Sequence, residues 1–152
     1  SVGHEVNRLA WEIRPTALDD LGLQTAVQQF LEEWSETSKL QFDLHLTLSD
    51  RRLPPVIETA LYRTLQEAVT NVVKHADATQ VGIILEGNEK EARLIIEDNG
   101  RGFHWGDVEV SPAPTVRLGL LGIRERLSLV GGTLEVETAP GQGTTLIIHV
   151  PV

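Results

Sequence analysis

The chain has 152 residues, no cysteine, and a formal charge of −9 from 13 Lys and Arg against 22 Asp and Glu. That balance excludes nucleic acid or an anionic membrane as the main partner, and the missing thiols exclude disulfide staples and thiolate metal sites. With 41% hydrophobic and 23% charged residues and no apolar run near ~18, it reads as one globular domain, cytoplasmic in cysteine usage, with neither a membrane span nor a secretory signal.

Ser1–Arg14 carries Val6, Leu9, Ala10 and Ile13 at helical spacing, stops at Pro15, and reads as the tail of a longer element. Thr16 or Asp19-Asp20 starts the next helix, Leu21–Thr37, with Leu23, Val27, Phe30, Leu31 and Trp34 as its apolar positions. Leu40–Leu48 alternates strictly, which is a strand with one wet face. Pro54-Pro55 opens a helix to about His75. Gln80–Glu86 and Ala92–Glu97 form a hairpin around Gly87-Asn88-Glu89-Lys90. His104–Leu118 has little periodicity and is expected to be a long, lid-like loop, mobile without ligand. Gly119–Val130 is a helix ended by Gly131-Gly132, and Thr133–Thr138 with Thr144–Val150 closes the chain as a hairpin. About four helices and five mostly antiparallel strands predict an α+β two-layer sandwich with the helices on one face of the sheet.

Three stretches carry residues suited to chemistry. Asp98-Asn99-Gly100-Arg101-Gly102-Phe103 ends a strand with two glycines, so the backbone can turn close to a ligand while Asp98 accepts from an amine. Alone, the same residues fit a tight Asx turn. On the Pro54–His75 helix, Leu61, Leu65, Ala68 and Val72 form an apolar stripe, and Glu67, Asn71 and Lys74 form a polar stripe beside it, with His75 between them. A carboxylate, an amide oxygen and an ammonium in line suit Mg²⁺ and a phosphate chain, although a solvated face has the same pattern. Gly119-Leu120-Leu121-Gly122 places a glycine-containing turn at a helix start, where exposed N–H groups favour an anion.

Other chemistries find little support. His4, His45, His75, His104 and His149 are scattered without paired ligand spacing, and no serine sits in a G-x-S-x-G elbow. Trp11, Trp34 and Trp105 are too sparse for a stacking platform, though Trp105 suits either folding its loop down or meeting a ligand.

Taken together, the ordered stretches resemble a known family. Glu67-Ala68-Val69-Thr70-Asn71-Val72-Val73-Lys74-His75-Ala76 resembles the N box of a sensor histidine kinase, and Asp98–Phe103 the G1 box. Gly119–Leu127, Gly131-Gly132 and Gly141-Gln142-Gly143-Thr144 resemble the G2 region and closing hairpin of the same GHKL catalytic domain. Lys74-His75-Ala76, the Gly122–Leu127 run and the Ile13–Leu23 link are most like the subfamily paired with NarL-type response regulators.

The resemblance implies a Bergerat fold, a mixed five-stranded sheet against three helices, binding ATP and Mg²⁺. It implies that Asp98 accepts from the adenine amino group with Gly100 and Gly102 giving room, and that Thr144 supports the base through a water. Asn71 would ligate Mg²⁺ with help from Glu67, while Lys74 and His75 stand near the phosphates. Gly119, Leu120 and Gly122 would form the hinge and phosphate turn after the lid, and either Arg124 or Arg126 would face phosphate. Residues 1–20 would close a dimerisation-helix region and 21–152 form the catalytic domain, monomeric as a piece and homodimeric as a whole kinase. His4-Glu5 imitates an acceptor pair but lies too close to Arg14-Pro15, so the acceptor histidine is expected on a separate dimerisation domain. An anti-sigma-type serine kinase, a non-catalytic nucleotide module, and a chaperone or topoisomerase ATPase are the competing readings, and the Arg14–Leu23 link weighs against the first and last of these.

Overall fold

The computed structural model describes residues 15–48, 52–103 and 114–152. Helix α1, Thr16–Thr37, leads into strand β1, Gln41–Thr47, and then helix α2, Pro55–Asn71, which widens into a π-helical turn over Val72–Ala76. Strands β2, Gln80–Gly87, and β3, Glu91–Asp98, precede helix α3, Pro114–Ser128. Strands β4, Thr133–Thr138, and β5, Thr144–Pro151, complete the sheet. The helix expected over Ser1–Arg14 lies outside the described residues.

The sheet order is β1-β2-β3-β5-β4, with β1 parallel to β2 and every other pair antiparallel. The parallel pair follows from α2, because a parallel connection needs a crossover long enough to hold a helix. Alternation along the strands buries Val81, Ile83 and Leu85, then Ala92, Leu94 and Ile96, then Leu146, Ile148 and Val150. Leu61, Leu65, Ala68 and Val72 of α2 and Leu120, Ile123 and Leu127 of α3 share one core with them. Each such leucine or isoleucine stabilises by roughly 1.5–3 kcal/mol, so Leu65, with no exposed surface, is a costly position to truncate. The result is the expected α+β sandwich, helices on one face.

One helix carries an unforeseen break and one boundary differs from the sequence reading. α1 begins at Thr16 and breaks at Gly22, whose φ of 82° and ψ of 168° are not helical. Arg52 spans this break: Nη2 donates to the Leu18 carbonyl at 3.3 Å, while Nε and Nη2 each donate to Glu58 at 3.0 Å. Glu58 is 1% exposed, so α2 buries a carboxylate against a guanidinium that also holds the first turns of α1. α3 begins at Pro114 rather than Gly119, so the last residues of the expected lid are helical. Proline suits a first helical turn, and Val116, Leu120, Ile123 and Leu127 give the longer helix one continuous buried stripe.

Candidate nucleotide-binding site

The antiparallel pairing of β3 with β5 sets the site, because the end of one meets the start of the other. Asp98 and Thr144 are register partners, and Thr144 is also the partner of Thr138 on β4. Asp98 occupies the fourth inward position of β3, after Ala92, Leu94 and Ile96, where an apolar residue would otherwise stand. It is 7% exposed. Burial pushes its carboxyl above the usual value of 3.8, and N–H groups of Gly100 and Thr144 partly offset this by stabilising the charged form. The Gly100 N–H donates to Asp98 Oδ1 at 2.8 Å.

The turn after Asp98 is tied to the end of α2. The Arg101 N–H donates to the Ala76 carbonyl at 2.8 Å, and Arg101 Nε donates to the His75 carbonyl at 2.7 Å. Asn99 Oδ1 accepts from the N–H groups of Thr79 and Gln80 at 2.9 and 3.0 Å. Gly102 adopts φ +61°, and a side chain there would also strike the Ala139 carbonyl, so glycine is required twice over.

Between these elements lies a cavity of about 390 Å³. Asn71 and His75 line it from α2, Asp98, Gly102 and Phe103 from the β3 turn, Val116 and Leu120 from α3, and Thr144 and Leu146 from β5. Three stretches far apart in sequence therefore face one space. Glu67 and Gly119 meet beside it: a Cβ on Gly119 would stand 2.7 Å from Glu67 Oε1 and 3.2 Å from Asn71 Nδ2. Gly100 packs against the Ala76 backbone rather than lining the wall.

The remaining expected site residues are not brought to the wall. Lys74 is exposed and outside the lining, and a Cβ on Gly122 would meet open space. Gly119 is inside α3 rather than at its start, so the expected anion site at a Gly119 helix start is corrected. Arg124 Nη2 points toward the Leu134 carbonyl, 3.5 Å away on β4. His104–Leu118 lies largely outside the described residues, as do His4 and Trp105.

Sequence reasoning missed the apolar walls, Ile96, Leu146 and Phe103. The two-residue period was a sufficient signal for Ile96 before Asp98 and Leu146 after Thr144, since both share the inward face of a predicted strand. It also missed Thr138, whose Oγ1 receives the Phe103 N–H at 3.1 Å. No strand periodicity reveals that contact.

The arrangement fits a base and a polyphosphate: an apolar slot with one buried carboxylate at its end, and oxygen donors at its mouth. Glu67 and Asn71, one turn apart, suit a hard cation. Asn71 Nδ2 is buried with no hydrogen-bond partner among the described residues, an N–H donor left for an acceptor outside the fold such as a phosphate oxygen, while Oδ1 is the atom suited to a cation. Among the described residues no three His, Asp or Glu side chains form a ready metal cage. One or two protein oxygens with water and phosphate is the usual Mg²⁺ arrangement.

Comparison with known proteins agrees with this geometry. The family model for the histidine kinase-, DNA gyrase B-, and HSP90-like ATPases matches residues 56–152. The chain belongs to this ATPase family. The match takes in α2, the β3 turn, α3 and the closing hairpin, so every wall of the cavity is within it. The signal transduction histidine-protein kinase/phosphatase DegS of Brevibacillus brevis is 34% identical over 148 residues, 97% of this chain and 37% of DegS. The oxygen sensor histidine kinase NreB of Staphylococcus carnosus (strain TM300) is 35% identical over 97% of this chain and 42% of NreB. The chain thus spans about two fifths of the curated relatives it matches. Among solved structures, the Acinetobacter baumannii histidine kinase AdeS shares the fold with a TM-score of 0.67 at 18% identity, covering 98% of this chain and 77% of that one.

Proposed function

We propose that this chain is the ATP-binding catalytic part of a sensor histidine kinase, holding Mg²⁺-ATP and presenting the γ-phosphoryl group to a histidine on a separate dimerisation domain. The observation that carries this reading is a cavity walled jointly by the end of α2, the β3 turn, α3 and β5, with Asp98 buried at its end. The names of DegS and NreB support the kinase assignment within the family.

In this reading Asp98 accepts from the exocyclic amine of adenine, Gly102 borders the ring, and Gly100 lets the turn seat against Ala76. Thr144 supports the same edge of the base. Asn71 and Glu67 would hold Mg²⁺, which neutralises phosphate charge when bound. His75 and the exposed Lys74 stand along the path of the phosphates, and Leu120 of α3 closes the wall beside them. Catalysis is positioning and charge neutralisation, with the phosphoryl group passing in line to an imidazole. Residues 1–20 would connect to the dimerisation helices, and the whole kinase would be a cytoplasm-facing homodimer signalling to a NarL-type response regulator. No helix among the described residues is long and apolar enough to cross a membrane.

The test mixes this chain with ATP labelled on the γ-phosphorus and a separately made dimerisation segment from the same kinase. Label should appear on that segment as an acid-labile, base-stable phosphohistidine. Label on serine would favour the anti-sigma-type kinase instead, and failure to bind ADP would remove the nucleotide reading.

A further inference from the structure

We propose that Thr138, which lies outside the cavity, sets nucleobase selectivity by holding the Thr144 hydroxyl with its proton turned away from the ligand. The proposal rests on the nucleotide-binding reading above. Asp98, Thr144 and Thr138 stand in one row across β3, β5 and β4, so their side chains share the inward face. Asp98 and Thr144 line the cavity, and Thr138 stands one strand behind them.

Thr138 Oγ1 has three polar neighbours. It accepts from the Phe103 N–H at 3.1 Å, lies 3.0 Å from the Gly143 carbonyl oxygen, and lies 2.9 Å from Thr144 Oγ1. A hydroxyl owns one proton and two lone pairs. The Gly143 carbonyl can only accept, so the Thr138 proton goes to it, and the Phe103 N–H takes one lone pair. The contact with Thr144 is then a hydrogen bond only if Thr144 donates into the remaining lone pair. The reverse assignment would set Thr138 Oγ1 and the Gly143 oxygen 3.0 Å apart with no proton between them.

One consequence concerns the ligand. With its proton committed inward, Thr144 offers the cavity lone pairs alone, and the ionised Asp98 beside it also only accepts. These two side chains therefore offer the base acceptors only. They reward an amino group and penalise a carbonyl at the same place, either directly or by fixing which way a bridging water points. Such an edge selects a 6-aminopurine over a 6-oxopurine, and Thr138 is the positioning residue that keeps it so.

The experiment compares ADP with inosine 5′-diphosphate, which carries a carbonyl at position 6 and a proton on N1, by calorimetry and by displacement of ADP. The unsubstituted chain should prefer ADP. Thr138→Val keeps the shape but frees the Thr144 proton, and should lower the ADP-to-inosine-diphosphate affinity ratio by roughly five- to tenfold, the effect of about one hydrogen bond. Thr138→Ser should restore the ratio. A purely structural Thr138 would lower both affinities or the melting temperature and leave the ratio alone, and that result, or a serine variant that fails to restore it, overturns the proposal. Should the valine variant fail to fold, Thr144→Val tests the same edge with Thr138 intact, and an unchanged ratio there is equally fatal. An unsubstituted chain that binds neither nucleotide removes the nucleotide reading itself, which distinguishes the two failures.

Discussion

The backbone of Gly119 rests against the Glu67 carboxylate, so closely that a methyl group on Gly119 would come within 2.7 Å of Glu67 Oε1. Gly119→Ala sets two effects against each other. Alanine gains about 1 kcal/mol of helix propensity over glycine inside α3. The clash is with the far end of a flexible side chain, which can move aside. We expect a melting temperature at or slightly above that of the parent, with Mg²⁺-ATP affinity down about tenfold because Glu67 is displaced. Unchanged Mg²⁺-ATP affinity would show that the Glu67–Gly119 contact is irrelevant to the ligand.

Asp98→Asn should remove ADP binding and yet stabilise the nucleotide-free protein at neutral pH. Burial raises the native carboxyl above its usual 3.8, so folding favours the protonated form. The corresponding stability is fully present below 3.8 and lost as pH rises through the native value. The gain from Asn is therefore expected at neutral pH and should shrink as pH falls toward 3.8, while ADP affinity of the parent declines over the same acid range. Thermal melts of both proteins across pH check the sign, and a less stable Asn variant at neutral pH would contradict it.

Asn71→Ala should weaken Mg²⁺-ATP much more than ADP in the absence of metal. The amide lines the cavity with its Nδ2 unpartnered among the described residues, so its loss costs the fold little. Calorimetry with and without Mg²⁺ makes the comparison. Equal losses in both would assign Asn71 to the nucleotide rather than to the cation.

Arg52→Ala should destabilise by about 3 kcal/mol, because it takes the guanidinium from a carboxylate that folding buries. Glu58 is 1% exposed and receives two N–H groups from Arg52 at 3.0 Å each. The double variant Arg52→Met with Glu58→Leu should recover most of that loss, since it removes the buried charge along with its partner. Denaturant unfolding of the three proteins decides whether charge burial or local packing is the cause.

Much of this molecule can be read from residue order, and what cannot has identifiable physical reasons. The α2 stripe of Leu61, Leu65, Ala68 and Val72 is a local periodicity, and it is buried as expected. The direction of β1 is not local: the alternation of Phe42, Leu44 and Leu46 is the same in either sense, and the crossover through α2 decides it. Pro114 and Gly119 made a helix over those residues look poor, but burial of Val116 and Leu120 outweighs glycine's cost of about 1 kcal/mol. Of the residues gathered at the cavity, Asn71 and Asp98 were legible because a polar stripe and a glycine-rich turn mark them, whereas Thr144 was reached only through the family resemblance. Thr138 and the Arg52–Glu58 pair were not, because each depends on which strands or loops become neighbours in space.

The widened turn at Val72–Ala76 makes the chain intolerant of miscounting at one place. Its last two carbonyls, on His75 and Ala76, are the anchors for Arg101. Excising any single residue between 72 and 76 would leave the turn too short to present both carbonyls to Arg101. The same excision at the Asn88 hairpin would be absorbed at the surface. Insertions and deletions in sequences of this kind should therefore accumulate at the hairpin and be purged from the end of α2.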